Sequence, residues 1–187
     1  MTNVAIVFHS GYGHTAKQAE AVRDGAAGTG ATATLFAIDQ DGNPPDGTWD
    51  ALAAADAIIM GSPTYMGGVS WQFKKFADTS SKPWATQDWK DKVAGGFTNS
   101  ASTNGDKGVT LDYLFHLAMQ HSMVWLGTGL LPANKAASAR DELNWLGAFS
   151  GAMAVSPSDT SPEQGPLPGD LEMARLFGAR IAQHAAK

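Results

Sequence analysis

Ser10, Tyr12 and Thr15 carry hydroxyls, with Gly11 and Gly13 between them, in the run Ser10-Gly11-Tyr12-Gly13-His14-Thr15. An apolar segment, Val4-Ala5-Ile6-Val7-Phe8, precedes it, and a stretch of helix formers, Ala16-Lys17-Gln18-Ala19-Glu20-Ala21-Val22, follows. The order is strand, small-residue turn, helix. Such a turn bunches backbone N–H groups, and the helix start adds unpaired donors and the positive end of its dipole. The guest that fits is a phosphate. Glycines let the backbone approach it closely, and hydroxyls add hydrogen bonds without charge. No Lys-Ser or Lys-Thr pair closes the run, so it is not a Walker loop. Ala16 stands where a Gly-x-Gly-x-x-Gly fingerprint needs its last glycine. A loop without lysine or arginine suits a phosphate monoester that stays bound rather than a triphosphate that is cleaved. The alternative is a generic strand-to-helix turn.

The pattern of hydroxyls and glycine from Ser10 to Thr15 resembles the FMN phosphate loop of the flavodoxin superfamily. Two other segments join it if the chain is an alternating α/β fold. Gly61-Ser62-Pro63-Thr64-Tyr65-Met66-Gly67-Gly68 combines a proline that fixes its own φ with a Gly-Gly pair that turns sharply and exposes N–H groups. Backbone donors and acceptors of this kind, with Tyr65 or Met66 against the ring face, make a wall for an isoalloxazine. Its plain alternative is a surface turn. Thr98-Asn99-Ser100-Ala101-Ser102-Thr103-Asn104-Gly105 offers small polar groups to a pyrimidine edge and ribityl hydroxyls. Residues Thr98, Asn99, Ser100, Ala101, Ser102 and Gly105 are the expected contacts there.

The elements that must position these loops alternate between strand-like and helical patterns, which points to βαβ units and a parallel sheet. Strands are expected near 3–8, 32–38, 57–60 and 92–98, and helices near 14–27, 49–54, 70–79, 108–121 and 169–185. Met123-Val124-Trp125-Leu126 and Gly151-Ala152-Met153-Ala154-Val155 read as two halves of a split fifth strand with an insertion between them. Asp170 is expected to cap the last helix. The fold class is α/β, a flavodoxin-like doubly wound five-stranded parallel sheet of order 2-1-3-4-5. In that order ligands sit outside the carboxyl ends of the first and third strands; flavodoxin itself is the standard illustration of the rule. Residues 1–187 are expected to form a single FMN-binding domain.

Gly61-Ser62-Pro63-Thr64-Tyr65-Met66-Gly67, the Trp84 segment and Gln120-His121-Ser122-Met123 are similar to the WrbA-type NAD(P)H:quinone oxidoreductases. Those have a Pro-Thr turn ending in Gly, a tryptophan about 20 residues later and His-Gly-Met after the fourth helix. The similarity runs from the phosphate loop to about Val155. It implies FMN as cofactor, NADH or NADPH as co-substrate, a quinone-like acceptor, and a homodimer or homotetramer. The family often carries Arg and Phe at the positions of Tyr65 and Met66, often Asn at Gly68, and glycines in the loop after strand four. The Asn144-Trp145-Leu146-Gly147 insertion is similar to broader flavin reductases of the superfamily.

Trp84 is read as a lid over a flat ring or a plug on the core, with the lid favoured by the resemblance. His121 either orients a quinone carbonyl and supplies a proton or caps a helix end, where an imidazolium is favourable. Trp84 and His121 are therefore the candidate catalytic residues. His14 is expected to close the phosphate loop. His9, His116 and His184 show no metal-ligand spacing, and no metal site is expected.

The chain of 187 residues is 43% hydrophobic, carries a net charge of −5 and has no cysteine, which excludes disulfides, iron–sulfur clusters and thiolate metal sites. No basic patch points to nucleic acid. No apolar run approaches the length of a membrane span, and the first residues lack a signal-peptide layout, so the expected compartment is the cytoplasm. Three readings compete with the quinone reductase: a one-electron carrier of the flavodoxin type, a reductase of free flavin, azo or nitro compounds, and a protein that kept the fold and lost the flavin. Six tryptophans leave some for a ligand or subunit surface, and Trp71, Phe73 and Phe76 on one short helix point to a subunit contact.

Overall fold

Val4, Ile6 and Phe8 alternate with Ala5 and Val7, and a strand places alternate residues on opposite faces. In a computed structural model of residues 1–187, both sets are buried, each in its own core cluster. The first strand is therefore covered on both sides, as a parallel sheet with helices on both faces requires. The elements in chain order are β1 (Asn3–His9), α1 (His14–Ala27), β2 (Thr32–Ile38), α2 (Thr48–Ala54), β3 (Ala57–Tyr65) and β4 (Gly68–Val69). They continue with α3 (Trp71–Thr79), α4 (Ser81–Thr86), β5 (Val93–Ser100), α5 (Lys107–Gln120), β6 (Val124–Trp125), β7 (Ala152–Val155) and α6 (Pro168–Ala185).

The sheet order is β2-β1-β3-β5-β6, with β7 also on β5. The pairs along this path are parallel. Val124 and Trp125 pair with the start of β5, and Ala152–Val155 pair with its end from Phe97 to Ser100. The two segments are thus halves of one split fifth strand, and the order 2-1-3-4-5 holds. On one face α1 and α6 pack so closely that a Cβ on Gly178 would lie 2.0 Å from the Val22 carbonyl oxygen. On the other face Phe73, Phe76 and Trp89 are buried, and Trp49 stacks on Phe76 at 5.0 Å between ring centroids. Fully burying such a side chain contributes about 1.5–3 kcal/mol.

Three elements depart from expectation. β3 does not end at Met60 but runs on to Tyr65. Its continuation pairs with β5 through Pro63↔Asn99 and folds back on β4 as a hairpin. Pro63 lies past the last β1 pair, Phe8↔Gly61, so on that side no ladder donor is required of it. The segment around Trp84 is the short helix α4 rather than a linker. Asp170 lies within α6, whose cap is Leu167. It is buried, accepts from the Val155 amide at 2.9 Å, and holds Arg140 of the insertion at 2.8 Å. Its carboxylate ties the insertion to β7 instead of capping a helix.

Candidate functional site

The carboxyl ends of β1, β3, β5 and β7 surround a cavity of about 580 Å³, within the usual range for small-molecule sites. From the β1–α1 loop come Tyr12, His14 and Thr15; from β3 come Pro63, Thr64 and Tyr65; from β5 and its loop come Asn99, Ser100 and Ala101. Each of these was expected from sequence to meet the cofactor.

Gly13 caps α1 with a φ of 92°, a conformation that glycine adopts without strain. The Ser10 hydroxyl accepts from the amides of Gly13 and Ala16, both at 3.1 Å. Ser10 therefore holds the loop's shape from inside. The amides of His14 and Thr15, in the first helical turn, have no intrahelical partner and remain for a ligand. Thr15 is only 2% exposed yet lines the cavity. Nε2 of His14 bonds the Thr160 carbonyl oxygen at 3.0 Å, so His14 closes the loop onto the segment that follows β7. Pro162 of that segment lies over Gly13.

At the other wall Tyr65 lies beside Tyr12, their ring centroids 6.3 Å apart at 71°. The Tyr65 hydroxyl sits over Gly11, where a Cβ would come within 2.4 Å of it. Gly11 thus supplies room rather than lining. Burial raises the Tyr65 pKa, with Tyr12 adding to the effect. No Asp, Glu, Lys or Arg lines the cavity.

A lining of amides and hydroxyls at a helix start, flanked by aromatics, fits a phosphorylated flat ring. A comparison with protein-family models matches residues 10–138 to NADPH-dependent FMN reductase. The chain belongs to this family.

Among the chain's relatives, flavodoxin FldP of Pseudomonas aeruginosa (strain UCBPP-PA14) is 50% identical over 183 residues, 98% of this chain and 96% of the relative. An NAD(P)H dehydrogenase (quinone) of Geobacter sulfurreducens is 35% identical, covering 99% of this chain and 98% of the relative. The crystal structure of a flavodoxin, WrbA-like protein from Agrobacterium tumefaciens is 51% identical. It superposes with a TM-score of 0.80, covering 100% of this chain and 98% of that one. The WrbA-like resemblance and the flavodoxin-like fold read from sequence both stand.

The structure leaves several expected contacts outside the cavity. Thr98 is fully buried, and its hydroxyl meets Thr64 at 2.8 Å in a cluster that continues to Thr110. It braces β3 against β5 and α5. Met66 and Gly67 form the hairpin tip with φ of 47° and 75°, the paired positive values of a type I′ turn, and Met66 is fully exposed. Gly68 lines a separate groove beside Trp71. Ser102 and Gly105 shape the loop after β5 without lining the cavity. Ser156, Ser158 and Thr160 do line it and were missed. Their signal was available: a hydroxyl-rich stretch directly after the second half of the split strand.

His121 and Trp84 are not brought to the cavity by this chain. α3 runs from the hairpin back across the sheet, so α4 and the end of α5 lie at the amino edge. β5 alone, Val93–Ser100, separates the two edges by about 23 Å at about 3.3 Å per residue. His121 is 4% exposed, bonds the Ser80 hydroxyl at 2.9 Å and stacks on Trp89 at 4.0 Å. Burial pushes its pKa down to about 4. It is neutral, so it neither caps α5 as a cation nor reaches an acceptor in this cavity. Trp84 is half exposed on α4.

Proposed function

We propose that residues 1–187 form one FMN-binding unit that transfers a hydride equivalent from NADH or NADPH to a quinone-like acceptor. The observation that carries this reading is the uncharged cavity at the α1 start, walled by tyrosines and closed by hydroxyls of the β7 segment. The amides of His14 and Thr15 and the Thr15 hydroxyl would hold the phosphate. Asn99, Ser100 and Ala101 would meet the pyrimidine and ribityl side, and Tyr65 would lie against the ring. Bound FMN supplies the two-electron chemistry, since the cofactor carries the reaction and the protein positions and tunes it. Nicotinamide and quinone are both flat and would use the same open face in turn, giving ping-pong kinetics.

Hydrogen bonds to a charged group contribute about 1.5–3 kcal/mol each, so losing several costs at least about a hundredfold in affinity. A fluorescence titration should show FMN binding at least about a hundredfold tighter than riboflavin, with Thr15→Val weakening FMN and leaving riboflavin unchanged. Equal affinities for the two flavins would reject the phosphate site.

The 50%-identical relative bears the name flavodoxin, which favours a second reading as a one-electron carrier. Carriers use strongly acidic surfaces to dock on basic partners, whereas the net charge here is a modest −5. The relative named as a quinone dehydrogenase supports the enzyme reading. We also infer a homodimer or homotetramer in the cytoplasm. Trp71 is 60% exposed while Phe73 and Phe76 of the same helix are buried. It lines an open groove with Val69, Val109 and Tyr113, beside Lys74, Lys75 and Asp78, and a second copy would cover that mixed surface. No helix is long and apolar enough to cross a membrane.

A further inference from the structure

Lys107 is the most anomalous charge in the molecule. It is the first residue of α5, where the helix dipole disfavours a cation. Its side chain is nevertheless buried, 1% exposed, and burying an ammonium is costly unless its donors are met. Nζ donates to the Ser100 hydroxyl at 2.9 Å, the Ser102 carbonyl at 2.8 Å and the Thr103 carbonyl at 2.7 Å. All three donors are used, and all three acceptors are neutral. Burial lowers its pKa to about 8, Asp170 opposing and Arg140 assisting the shift, so it is a cation at neutral pH. Asp170 is committed to Arg140, and Asp106, the preceding residue, is exposed. The ammonium thus has no carboxylate of its own.

The place of this charge matters. Ser100 lines the cavity, as do its neighbours Asn99 and Ala101, while Ala101 to Asn104 are exposed. Lys107 anchors that exposed loop by its carbonyls and sets one positive charge, reinforced by the α5 dipole, directly behind the cavity wall. A loop needing only an anchor could use a neutral donor. An uncompensated cation is suited to a ligand that gains negative charge in the site.

Resting on the FMN reading above, we propose that Lys107 is a positioning and charge-setting residue that clamps the Ser100–Gly105 loop and favours reduced FMN as its anion. The balance is simple. Hydride transfer from a dihydronicotinamide brings two electrons and one proton to the flavin. The nicotinamide leaves as its cation, and the flavin retains one negative charge. Lys107, held behind Ser100, would favour that charge through the loop while keeping its own proton. Quinone reduction then takes the two electrons and that proton, plus one from solvent, and ends the need for the cation.

The test is the midpoint potential of bound FMN, measured against reference dyes between pH 5.5 and 7.5, with free FMN alongside. A two-electron couple that takes up one proton changes by about 30 mV per pH unit, and one that takes up two by about 59 mV. In the wild-type holoprotein the one-proton slope should persist to lower pH than in free FMN. In Lys107→Met the ratio of reduced to oxidised FMN affinity should fall at least tenfold, which places its potential about 30 mV lower. Lys107→Arg should restore most of the difference. A Lys107→Met protein that binds FMN at an unchanged potential would overturn the proposal. So would a wild-type slope that breaks at the same pH as free FMN, and that measurement does not depend on any variant folding. Failure of the wild type to bind FMN at all would instead overturn the functional reading.

Discussion

At the residue scale, identical side-chain types end in different roles according to whether the hydroxyl faces the cavity or a neighbouring strand. Thr15 and Thr98 are both buried, but Thr15 lines the cavity and Thr98 spends its hydroxyl on Thr64. The turn of Ser10 to Thr15 was legible because hydroxyls and glycines between an apolar run and helix formers mark a strand-to-helix turn with free N–H groups. The destination of His121 was not, since a histidine at a helix end sits at either edge until the topology is fixed. Its neutral burial has a thermodynamic signature. Its pKa falls from 6.5 in the unfolded chain to about 4 in the fold, so between those values the unfolded state binds more protons and stability rises with pH. The contribution is complete above about pH 6.5 and is lost as pH falls through about 4, amounting to at most about 3.5 kcal/mol at about 1.4 kcal/mol per pH unit. Urea unfolding at a series of pH values should show this acid limb in the wild type and a flatter one in His121→Gln. Coincident slopes would place the acid sensitivity elsewhere.

At the element scale, the strands and helices follow from hydrophobic patterning, and the departures follow from pairing. A run of four apolar residues, Ala57 to Met60, marks the first half of β3, although burial continues to Thr64. The polar continuation to Tyr65 becomes strand only because β5 and β4 offer partners, which no local signal reveals. The split fifth strand was legible because each half is a short apolar run bounded by glycine or polar residues. The three lining hydroxyls after β7 follow a strand that the ligand rule for this sheet order does not single out, since that rule points to the first and third strands. Close packing of α1 on α6 makes a sharp prediction. Gly178→Ala puts a methyl group against the Val22 carbonyl, and overpacking costs about 1–3 kcal/mol. Calorimetry should record a drop in Tm of roughly 2–4 °C per kcal/mol for a chain of this size. An unchanged Tm would mean that the two helices separate freely.

At the scale of the whole molecule, the sheet gathers four loops at its carboxyl edge and leaves apolar groups such as Trp71 and Met66 uncovered on its flank. If a second copy covers them, light scattering at micromolar concentration should give two or four times the 19.5 kDa chain mass, and Trp71→Glu should shift the population toward the single chain. A 19.5 kDa particle for the wild type would contradict the assembly. If the cavity holds FMN for an enzyme with substrates of its own, the flavin's absorbance reports it. The FMN-loaded protein is mixed anaerobically with NADH or NADPH in a stopped-flow instrument, then with benzoquinone, while flavin absorbance is followed. One of the nicotinamides should bleach the flavin in a saturable, two-electron step, and benzoquinone should restore it at once. Flavin that neither nicotinamide reduces, although dithionite does, would contradict it and make the chain an electron carrier.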